Sequence, residues 1–234
     1  MFTGIVQGVA RVESIDAREG LHTLALKLPD GFDDQLAIGA SVACDGVCLT
    51  VTERPAPGVA RFDVMAQTLN LTTLGALGVG AGLNVERAAK DGAEIGGHPL
   101  SGHVDVSARI AEIRRPDNNH VIRFALPAPW MRYVFAKGYV GVNGCSLTVA
   151  EAQRERDGSG WFEVWLIPET LRMTTFGDKV VGDAVHIEIE RSTQVVVDTV
   201  RAALDEKLGP LLPVLEAIAR ERGTDLGELA LPRG

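Results

Sequence analysis

The sequence predicts an all-β protein: two homologous small antiparallel β-barrels of the Greek-key type in tandem, followed by a C-terminal amphipathic helix. Three observations predict this fold class. The 234-residue chain repeats itself once with a period close to 100 residues. Within each repeat most apolar residues alternate with polar ones, as they do in half-buried strands. Helical spacing of apolar residues becomes clear only after residue 190.

The internal repeat is clearest when the chain is compared with itself at an offset of 98 residues. Residues 3–12, TGIVQGVARV, then match residues 101–110, SGHVDVSARI, and residues 42–53, VACDGVCLTVTE, match residues 140–151, VGVNGCSLTVAE. The offset grows to 100 and then to 102 further along the chain. One long period used twice does not fit a solenoid of many short units. It predicts two homologous domains, 1–97 and 98–190.

Each repeat contains a strong hairpin signal. Asp45-Gly46 and Asn143-Gly144 are flanked by Val-rich segments, and such pairs favour two-residue turns because both central residues need a positive φ. Many short strands in about 95 residues predict a closed barrel, which leaves no exposed sheet edge. We also expect short helical turns at residues 68–74 and 170–176.

The last segment follows a helical pattern. From Ser192, which we interpret as an N-cap, one apolar face runs to a stop at Gly209-Pro210. The face consists of Val196, Val200, Ala203, Leu204 and Leu208. A neighbouring subunit is one candidate to cover it, so residues 191–208 are interpreted as an oligomerisation helix. Residues 209–234 have no predicted role; a second short helix is expected at 211–222 and a mobile tail after it.

Composition excludes several classes of function. The formal charge is −8, the pI is near 5.2 and no Lys/Arg cluster occurs, which argues against nucleic acid or an anionic membrane surface as a partner. No apolar run is long enough for a membrane span, and the N-terminus lacks a signal peptide pattern, so we expect a cytoplasmic protein. Cys44, Cys48 and Cys145 show no disulfide or zinc spacing, so we expect reduced thiols and no metal.

Polar residues at matched positions are the strongest hint of a ligand. Most repeated residues are Gly, Leu and Val, which turns and core packing explain. Repeated polar pairs are harder to attribute to packing, and they suggest one ligand per half, a neutral polar heterocycle with a polyol tail. The pairs are Thr3 with Ser101, Thr50 with Thr148 and Asp63 with Glu163, while Cys48 matches Ser146 and Ile5 matches His103. Metal ligation by His98, His103 and Cys48 is disfavoured, because their spacing fits no zinc motif.

A family resemblance rests on eight segments in order: MFTGIV, GASVACDGVCLTVT, FDVMAQTL, NVERA, GGHPLSGHV, KGYVGVNGCSLTV, WLIPETLRMTT and TQVVVDTV. Over residues 1 to about 208 the chain closely resembles the riboflavin synthase family of two-barrel lumazine-binding enzymes. The resemblance implies a cofactor-free dismutation, in which two molecules of 6,7-dimethyl-8-ribityllumazine exchange a four-carbon unit. It also implies a homotrimer, with each active site between the N-terminal barrel of one subunit and the C-terminal barrel of another.

The resemblance also implies site residues in both halves. In the first half these are Phe2, Gly4, Ile5, Val6, Ser41, Cys48, Leu49, Thr50, Asp63, Val64, Met65, Ala66, Gln67 and Thr68. In the second half they are Gly102, His103, Val104, Lys137, Ser146, Leu147, Thr148, Leu166, Ile167, Pro168, Glu169 and Thr170. The expected catalytic groups, which transfer protons, polarise the ring or add to C7, are His103, Ser146, Thr148 and Cys48. Phe2 and Ser41 are expected to close the interface between subunits.

Departures from the family pattern leave rival functions to consider. The family commonly has Asn and Asp where this chain has Asp45 and Asn143, Glu in place of Gln67 and Asp in place of Glu190. A non-catalytic antenna or carrier for lumazine would let one half lose its contacts, whereas both halves keep them here. A flavin-dependent reductase would need a nucleotide-binding αβ domain after the barrel. Association with a lumazine synthase assembly stays open.

Overall fold

The fold-class prediction is confirmed by a computed structural model, which describes residues 1–116 and 119–221. Residues 1–190 form one unit that contains two closed, six-stranded antiparallel barrels. The strands of the first barrel are β1 (Gly8–Arg18), β2 (Leu21–Lys27), β3 (Ser41–Cys44), β4 (Val47–Ala56), β5 (Val59–Met65) and β6 (Gly82–Arg87). Those of the second are β7 (Val106–Arg114), β8 (His120–Leu126), β9 (Tyr139–Val142), β10 (Cys145–Arg154), β11 (Gly160–Leu166) and β12 (Ala184–Ile189).

Both barrels share one topology. Around the first barrel the order is β1-β2-β5-β4-β3-β6, and the second repeats it as β7-β8-β11-β10-β9-β12. The last strand pairs with the first, so no edge of either sheet is left open. The two hairpins predicted at Asp45-Gly46 and Asn143-Gly144 join β3 to β4 and β9 to β10.

Short helical segments follow the fifth strand of each barrel. In the first barrel these are helix α1 (Ala66–Leu71) and a 3-10 helix at Thr73–Ala76; in the second they are α3 (Pro168–Met173) and a 3-10 helix at Thr175–Asp178. The predicted helical turns are therefore present, in two pieces each. The second barrel also has a one-turn helix, α2 (Ala128–Met131), after β8.

Side chains fill the barrel interiors. Phe62 and Phe162 are both fully buried. The offset of 100 at these residues is wrong, because Phe62 lies opposite Val51 and its counterpart opposite Val149 is Val164, at an offset of 102. Phe162 also packs on Phe124 with ring centroids 5.1 Å apart. A small barrel of this kind is a packed core rather than a cavity. A ligand must therefore bind on the outside of the barrel wall or at its ends.

Residues 191–221 form a separate helical unit. It consists of α4 (Arg191–Leu208), a 3-10 helix at Gly209–Leu211 and α5 (Leu212–Glu221). Helix α4 begins at Arg191, so Ser192 lies inside its first turn, and the N-cap prediction for Ser192 is wrong. The predicted apolar face of α4 is solvent-exposed in the single chain, with Val196 60% and Leu204 51% exposed.

None of the helices in the described ranges combines the length and the apolar character that a membrane span requires. Of the predicted segments after α4, the second short helix is present as α5. The predicted mobile tail, residues 222–234, lies outside the described residues.

Candidate functional site

The two hairpin turns pack against each other at the centre of the two-barrel unit. Asp45 and Asn143 adopt φ values of 45° and 43°, each followed by a glycine with positive φ. A Cβ placed on Gly46 would lie 2.7 Å from the backbone nitrogen of Gly144, and the reverse contact is equally close. Glycine is therefore required at both positions by the turn and by the neighbouring turn.

Each hairpin presents two predicted site residues on the outer face of its barrel. On β4, Leu49 is buried while Cys48 is half-buried and Thr50 exposed. On β10, Leu147 is buried while Ser146 is half-buried and Thr148 exposed. Alternation along the strand places the polar groups outside the core. The matched pairs Cys48 with Ser146 and Thr50 with Thr148 thus occupy equivalent surfaces, and Leu49 and Leu147 contribute core packing beneath them.

A buried glutamate anchors the segment that precedes each barrel. Glu86 accepts hydrogen bonds from the Thr3 backbone nitrogen (2.6 Å), the Thr3 hydroxyl (2.8 Å) and the Gly4 nitrogen (3.0 Å). Glu188 does the same for Ser101 and Gly102 at 2.6, 2.7 and 3.0 Å. These contacts explain why a hydroxyl residue repeats at positions 3 and 101. Burial raises the pKa of Glu86, and the hydrogen bonds from Thr3 and Gly4 counteract part of that rise.

Sequence reasoning did not single out either glutamate as a site residue. The repeat pairs them, however, and an acidic residue at matched positions on an apolar strand was the available signal. Both carboxylates are buried, with Glu86 2% and Glu188 4% exposed. Each lies beneath the site rather than on its surface.

The anchored segments cross over to the opposite barrel. The Ser146 nitrogen donates to the Gly4 carbonyl and the Cys48 nitrogen donates to the Gly102 carbonyl, both at 2.8 Å. Val104 packs against the core of the first barrel. Assigning residues 4–6 and residues 102–104 each to its own half is therefore wrong, because the structure places each segment on the hairpin of the other barrel.

The Ser146 hydroxyl has a histidine partner. Its Oγ lies 2.6 Å from His98 Nδ1, and it accepts a hydrogen bond from the His98 backbone nitrogen at 3.1 Å. The His98 ring stacks on Tyr139 with centroids 5.3 Å apart, and its buried Nε2 has no hydrogen-bond partner among the described residues. Burial lowers the pKa of His98, while the nearby Glu190 carboxylate acts in the opposite direction. A neutral imidazole next to a hydroxyl can exchange a proton with it.

His98 is a candidate site residue that the sequence patterns do not identify. They suggest only metal ligation for it, together with His103 and Cys48. Across residues 1–116 and 119–221 no group of three or more His, Cys, Asp or Glu side chains could hold a metal ion. Its position in the quoted GGHPLSGHV segment was the available signal. What the sequence could not show is that residues 97 and 98 run over the β9–β10 hairpin, where a Cβ on Gly97 would lie 2.6 Å from Ser146 Cβ.

His103 and Ile5 are exposed at matched positions beyond the anchored glycines. His103 donates its backbone nitrogen to Ser101 Oγ, as Ile5 does to Thr3 Oγ1, both at 3.2 Å. Because Gly102 contacts Cys48, His103 belongs to the surface that carries Cys48.

Lys137 is held in an unusual backbone conformation. Its φ is 67°, and its nitrogen donates to the Val149 carbonyl at 2.7 Å. The matched Gly39 has a φ of 87° and makes the same bond to Val51. A lysine in the left-handed region costs energy that glycine does not. The exposed Lys137 side chain is consistent with a role beyond folding.

The remaining predicted residues lie at the strand-to-helix corners. In the first barrel Val64 is buried, Met65, Ala66 and Gln67 are exposed, and Thr68 is half-buried. In the second, Leu166 is buried, Ile167, Pro168 and Glu169 are exposed, and Thr170 is half-buried. Arg172 pairs with Glu169 at 2.5 Å and lowers its pKa. The exposed apolar residues Met65 and Ile167 offer matched surfaces for a planar ring.

Three predicted residues have other environments in the single chain. Phe2 is only 1% exposed and packs with Ala43 and Leu100, and its ring lies against Gly102. Asp63 lies on the outer wall, where its carboxylate accepts a hydrogen bond from Thr23 at 2.7 Å. Ser41 pairs with Thr50 across β3 and β4.

The side chains before the hairpin glycines bind the last strands of the barrels rather than the hydroxyls of Ser146 and Thr148. Asp45 Oδ1 accepts from the Asn84 nitrogen at 2.8 Å, and Asn143 Oδ1 accepts from the His186 nitrogen at 2.7 Å. Asn143 therefore does not orient Ser146 or Thr148 with its side-chain oxygen. Burial raises the pKa of Asp45 to about 7 and lowers that of His186 to about 4.

All three cysteines are free thiols. Cys44 and Cys145 are buried, and burial raises the pKa of both, that of Cys145 to about 12. Cys48 is half-buried at the site. It is therefore the cysteine best placed for chemistry.

The family model described as "Lumazine binding domain" matches this chain twice, at residues 3–88 and 101–190. The two matches coincide with the two barrels and include both anchored segments.

Curated relatives match across most of the chain. Riboflavin synthase of Escherichia coli (strain K12) is 49% identical over 205 residues, which are 87% of this chain and 93% of that protein. Riboflavin synthase of Buchnera aphidicola subsp. Schizaphis graminum is 39% identical over 90% of this chain and 99% of its own length. Riboflavin synthase of Mycobacterium tuberculosis (strain H37Rv) is 39% identical over 87% of this chain and all of its own length.

Solved structures of LumP share the fold. The structure of LumP complexed with riboflavin has a TM-score of 0.72 and 24% identity, and covers 81% of this chain and all of its own. LumP complexed with 6,7-dimethyl-8-(1'-D-ribityl) lumazine has a TM-score of 0.71 and 23% identity over 81% of this chain.

Proposed function

The chain belongs to the riboflavin synthase family of lumazine-binding proteins, and we propose from this premise that it converts two molecules of 6,7-dimethyl-8-ribityllumazine into riboflavin and 5-amino-6-ribitylamino-2,4(1H,3H)-pyrimidinedione. One lumazine donates a four-carbon unit and the other accepts it. The atoms of the two substrates equal those of the two products, so the reaction needs no external oxidant or reductant.

The observation that carries this proposal is the duplicated ligand platform. Each platform combines an anchored glycine segment, a hairpin with a hydroxyl or thiol, and a strand-to-helix corner with an exposed apolar residue. The first platform consists of residues 102–104, Cys48 and Thr50, and the corner at Met65. The second consists of residues 4–6, Ser146 and Thr148, and the corner at Ile167. Backbone and hydroxyl groups can bind a polar ring and a ribityl chain, while Met65 and Ile167 can cover the ring face. Two equivalent platforms in one chain suit a reaction that consumes two copies of one molecule.

The chemistry falls to groups that differ between the platforms. The C7 methyl group of one lumazine is acidified by conjugation, and the enzyme must remove a proton from it and hold the resulting carbanion against C6 of its partner. The Ser146 hydroxyl, linked to His98 at 2.6 Å, moves protons or supplies a nucleophile to C7. Thr148 lies on the same outer face, and Cys48 and His103 occupy the other platform.

The binding residues proposed are those predicted from the sequence at both corners, both hairpins and both anchored segments. Lys137 is proposed to hold the ring or the ribityl chain from its strained position. Asp63 is the weakest member of the set, because its carboxylate is bound to Thr23 on the outer wall.

Assembly completes the proposal. The two platforms of one chain are proposed to belong to two different active sites of a cytoplasmic homotrimer, each closed by the opposite barrel of a neighbouring subunit. Helix α4, with its exposed apolar face, is proposed to hold the subunits together. Light scattering on a chain ending at Glu190 tests this, and an unchanged mass would contradict it. The same measurement with lumazine synthase added tests for association between the two proteins.

The deciding experiment is incubation of the purified protein with 6,7-dimethyl-8-ribityllumazine alone, followed by riboflavin absorbance. Riboflavin should accumulate without any added cofactor, and the Ser146→Ala variant should form it at a strongly reduced rate. Tight binding of lumazine with no riboflavin would identify an antenna or carrier instead.

A further inference from the structure

A buried hydrogen-bond network links each barrel to the ligand-binding segments of the other. The last strand of each barrel contributes one polar side chain to it, Asn84 from β6 and His186 from β12, which the repeat pairs at an offset of 102. Each residue is only 1% exposed. Polar side chains are rarely buried so completely unless their hydrogen bonds are satisfied.

His186 bonds to two segments of the first barrel. Its Nδ1 lies 2.8 Å from the Asp45 carbonyl, and its Nε2 lies 2.8 Å from the Thr73 backbone nitrogen and 2.9 Å from the Thr73 hydroxyl. A backbone N–H can only donate, so Nε2 is the unprotonated acceptor and Nδ1 carries the proton to the carbonyl. His186 is therefore neutral and fixed in one tautomer.

Asn84 makes the equivalent hydrogen bonds to the second barrel. Its Nδ2 donates to the Asn143 carbonyl at 3.0 Å, and its Oδ1 accepts from the Thr175 backbone nitrogen at 2.8 Å. An amide and an imidazole thus present a donor and an acceptor to the same two kinds of partner, a hairpin carbonyl and the first N–H of a 3-10 helix.

The bonded segments carry the ligand platforms. Asp45 begins the turn that leads to Cys48. Thr73 begins the 3-10 helix that follows α1 after one residue, and the first residues of α1 are the corner of the first platform. Asn143 and Thr175 hold the same positions relative to Ser146 and α3. Each network residue therefore joins the hairpin and the corner of one platform from outside the barrel that contains them.

We propose that His186 positions the lumazine platform of the N-terminal barrel and Asn84 that of the C-terminal barrel, so that each site is shaped by the last strand of the opposite barrel. The inference rests on the proposed function, because it takes the two platforms to be lumazine sites. Neither residue touches the ligand; each acts through a hairpin and a corner.

The test measures ligand binding at each platform separately. The probe is 6-methyl-7-oxo-8-ribityllumazine with a 13C-labelled methyl group, which lacks the C7 methyl group and so cannot turn over. Two bound methyl signals are expected from the full-length protein. Thr50→Ala and Thr148→Ala assign them to the first and second platform.

His186→Leu should weaken binding at the first platform about tenfold and leave the second within about twofold, since the loss of buried hydrogen bonds of this kind costs roughly a factor of ten. Asn84→Leu should do the reverse. His186→Asn should restore the first platform, because Asn84 shows that an amide meets the same pair of partners. A purely structural role would instead weaken both signals together and would not distinguish Asn from Leu.

Equal weakening of both signals by either variant, or no effect of His186→Leu on a variant shown to be folded, overturns the inference. Failure of His186→Asn to rescue also counts against it. Riboflavin formation by the unchanged protein is measured first. Two bound signals without turnover would overturn the proposed enzyme function alone and leave the positioning result to be decided by the variants.

Discussion

The two barrels have the same backbone but differ at the reactive surface, and the difference separates binding from chemistry. Groups that shape the platforms are duplicated: Glu86 with Glu188, and the two hairpin glycines. Thr50 and Thr148 match as well, but the hairpin position two residues before them differs: the first hairpin carries Cys48, and the second carries Ser146 with His98 as its partner. Conserved scaffolding between the halves indicates two binding sites. Divergent side chains on it indicate that only one of them performs each chemical step.

The inter-barrel network has diverged in the same way. It contains Asn84 and Asn143, which do not titrate, together with Asp45 and His186, which do. The hydrogen-bond pattern is unchanged by this exchange. The two halves of the network differ in their response to pH. The half with Asp45 and His186 can gain or lose protons, whereas the half with Asn143 and Asn84 cannot.

The largest expected effect comes from removing His98, the partner of Ser146 in the second platform. His98→Ala should lower kcat on the order of a hundred- to a thousandfold, the usual contribution of a positioned acid or base. Cys48→Ala, at the matched hairpin position, should lower it about tenfold. Steady-state kinetics on both variants, with Ser146→Ala and the double variant, measures this.

If His98 and Ser146 act as one unit, the double variant will be no slower than the slower single variant. A double variant whose loss of kcat equals the product of the two single losses would show that His98 and Ser146 act independently. Equal losses for His98→Ala and Cys48→Ala would contradict the asymmetry between the platforms.

The buried glutamates allow a test of the crossing segments. Glu86→Gln turns an acceptor towards the Gly4 nitrogen into a donor and should lower turnover about thirtyfold, since an unsatisfied buried donor costs about 2 kcal/mol. Because Gly4 contacts Ser146 while Gly102 contacts Cys48, Glu86→Gln and the matched variant Glu188→Gln should change the kinetics differently. Glu86→Gln should lower mainly kcat, and Glu188→Gln should mainly raise KM. Identical kinetic changes in both would contradict the crossed arrangement.

The titrating pair predicts two opposite dependences of stability on pH. His186 has a pKa of about 4 when folded and near 6.5 when unfolded, so its contribution is complete above pH 6.5 and is lost as the pH falls towards 4. Asp45 has a pKa of about 7 when folded and near 3.9 when unfolded. In the folded state Asp45 stays protonated to a higher pH than in the unfolded state. Its contribution to stability is therefore present at low pH and is lost as the pH rises towards 7.

These slopes largely cancel in the natural chain, and single substitutions should reveal them. Asp45→Asn leaves the His186 dependence, so its free energy of unfolding should fall by about 2 kcal/mol from pH 6.5 to pH 5. His186→Asn leaves the Asp45 dependence and should change in the opposite direction. Urea unfolding at several pH values checks both, with the double variant as a control that lacks both contributions and gives the slope due to the other shifted groups, such as His98. Parallel slopes in the two single variants would contradict the assignment.

The sequence was sufficient for the fold because the fold depends on local patterns and on the repeat. Asp45-Gly46 and Asn143-Gly144 specify hairpins through their own backbone preferences, and the strand periodicity follows from alternation along the chain. The N-cap prediction at Ser192 is wrong because the helix begins at Arg191, two residues before the start that this N-cap would give. Helix ends depend on contacts that a periodic pattern does not contain.

The site was less accessible, because its partners are distant in sequence. Residues 48 and 146 could be identified by matching the halves. The contact of Gly4 with Ser146 joins residues 142 positions apart, and comparison of the halves suggests the opposite grouping. His98 lies at the boundary between repeats, so the repeat did not mark it. Its role becomes visible only when the two barrels lie side by side.

The smallest expected effect concerns two acidic residues on the barrel walls, Asp63 and Glu163, which the sequence repeat pairs but the strand registers do not. Asp63 lies opposite Thr23 and its counterpart in the second barrel is Trp165, whereas Glu163 lies opposite Glu151 and its counterpart in the first barrel is Arg61. Glu163 is 3% exposed and binds Arg114 and Arg123, each at 2.6 Å, whereas Asp63 on the first barrel binds only the Thr23 hydroxyl among the contacts observed in the described residues. Glu163→Gln should lower the free energy of unfolding by about 1 kcal/mol, a value reduced by the partial exposure of both arginines. Asp63→Asn should change it by less than about 0.5 kcal/mol. Urea unfolding compares the two, and lumazine titration of Asp63→Asn should give unchanged affinity. A clear loss of affinity would instead place Asp63 in the ligand site, as the family resemblance implied.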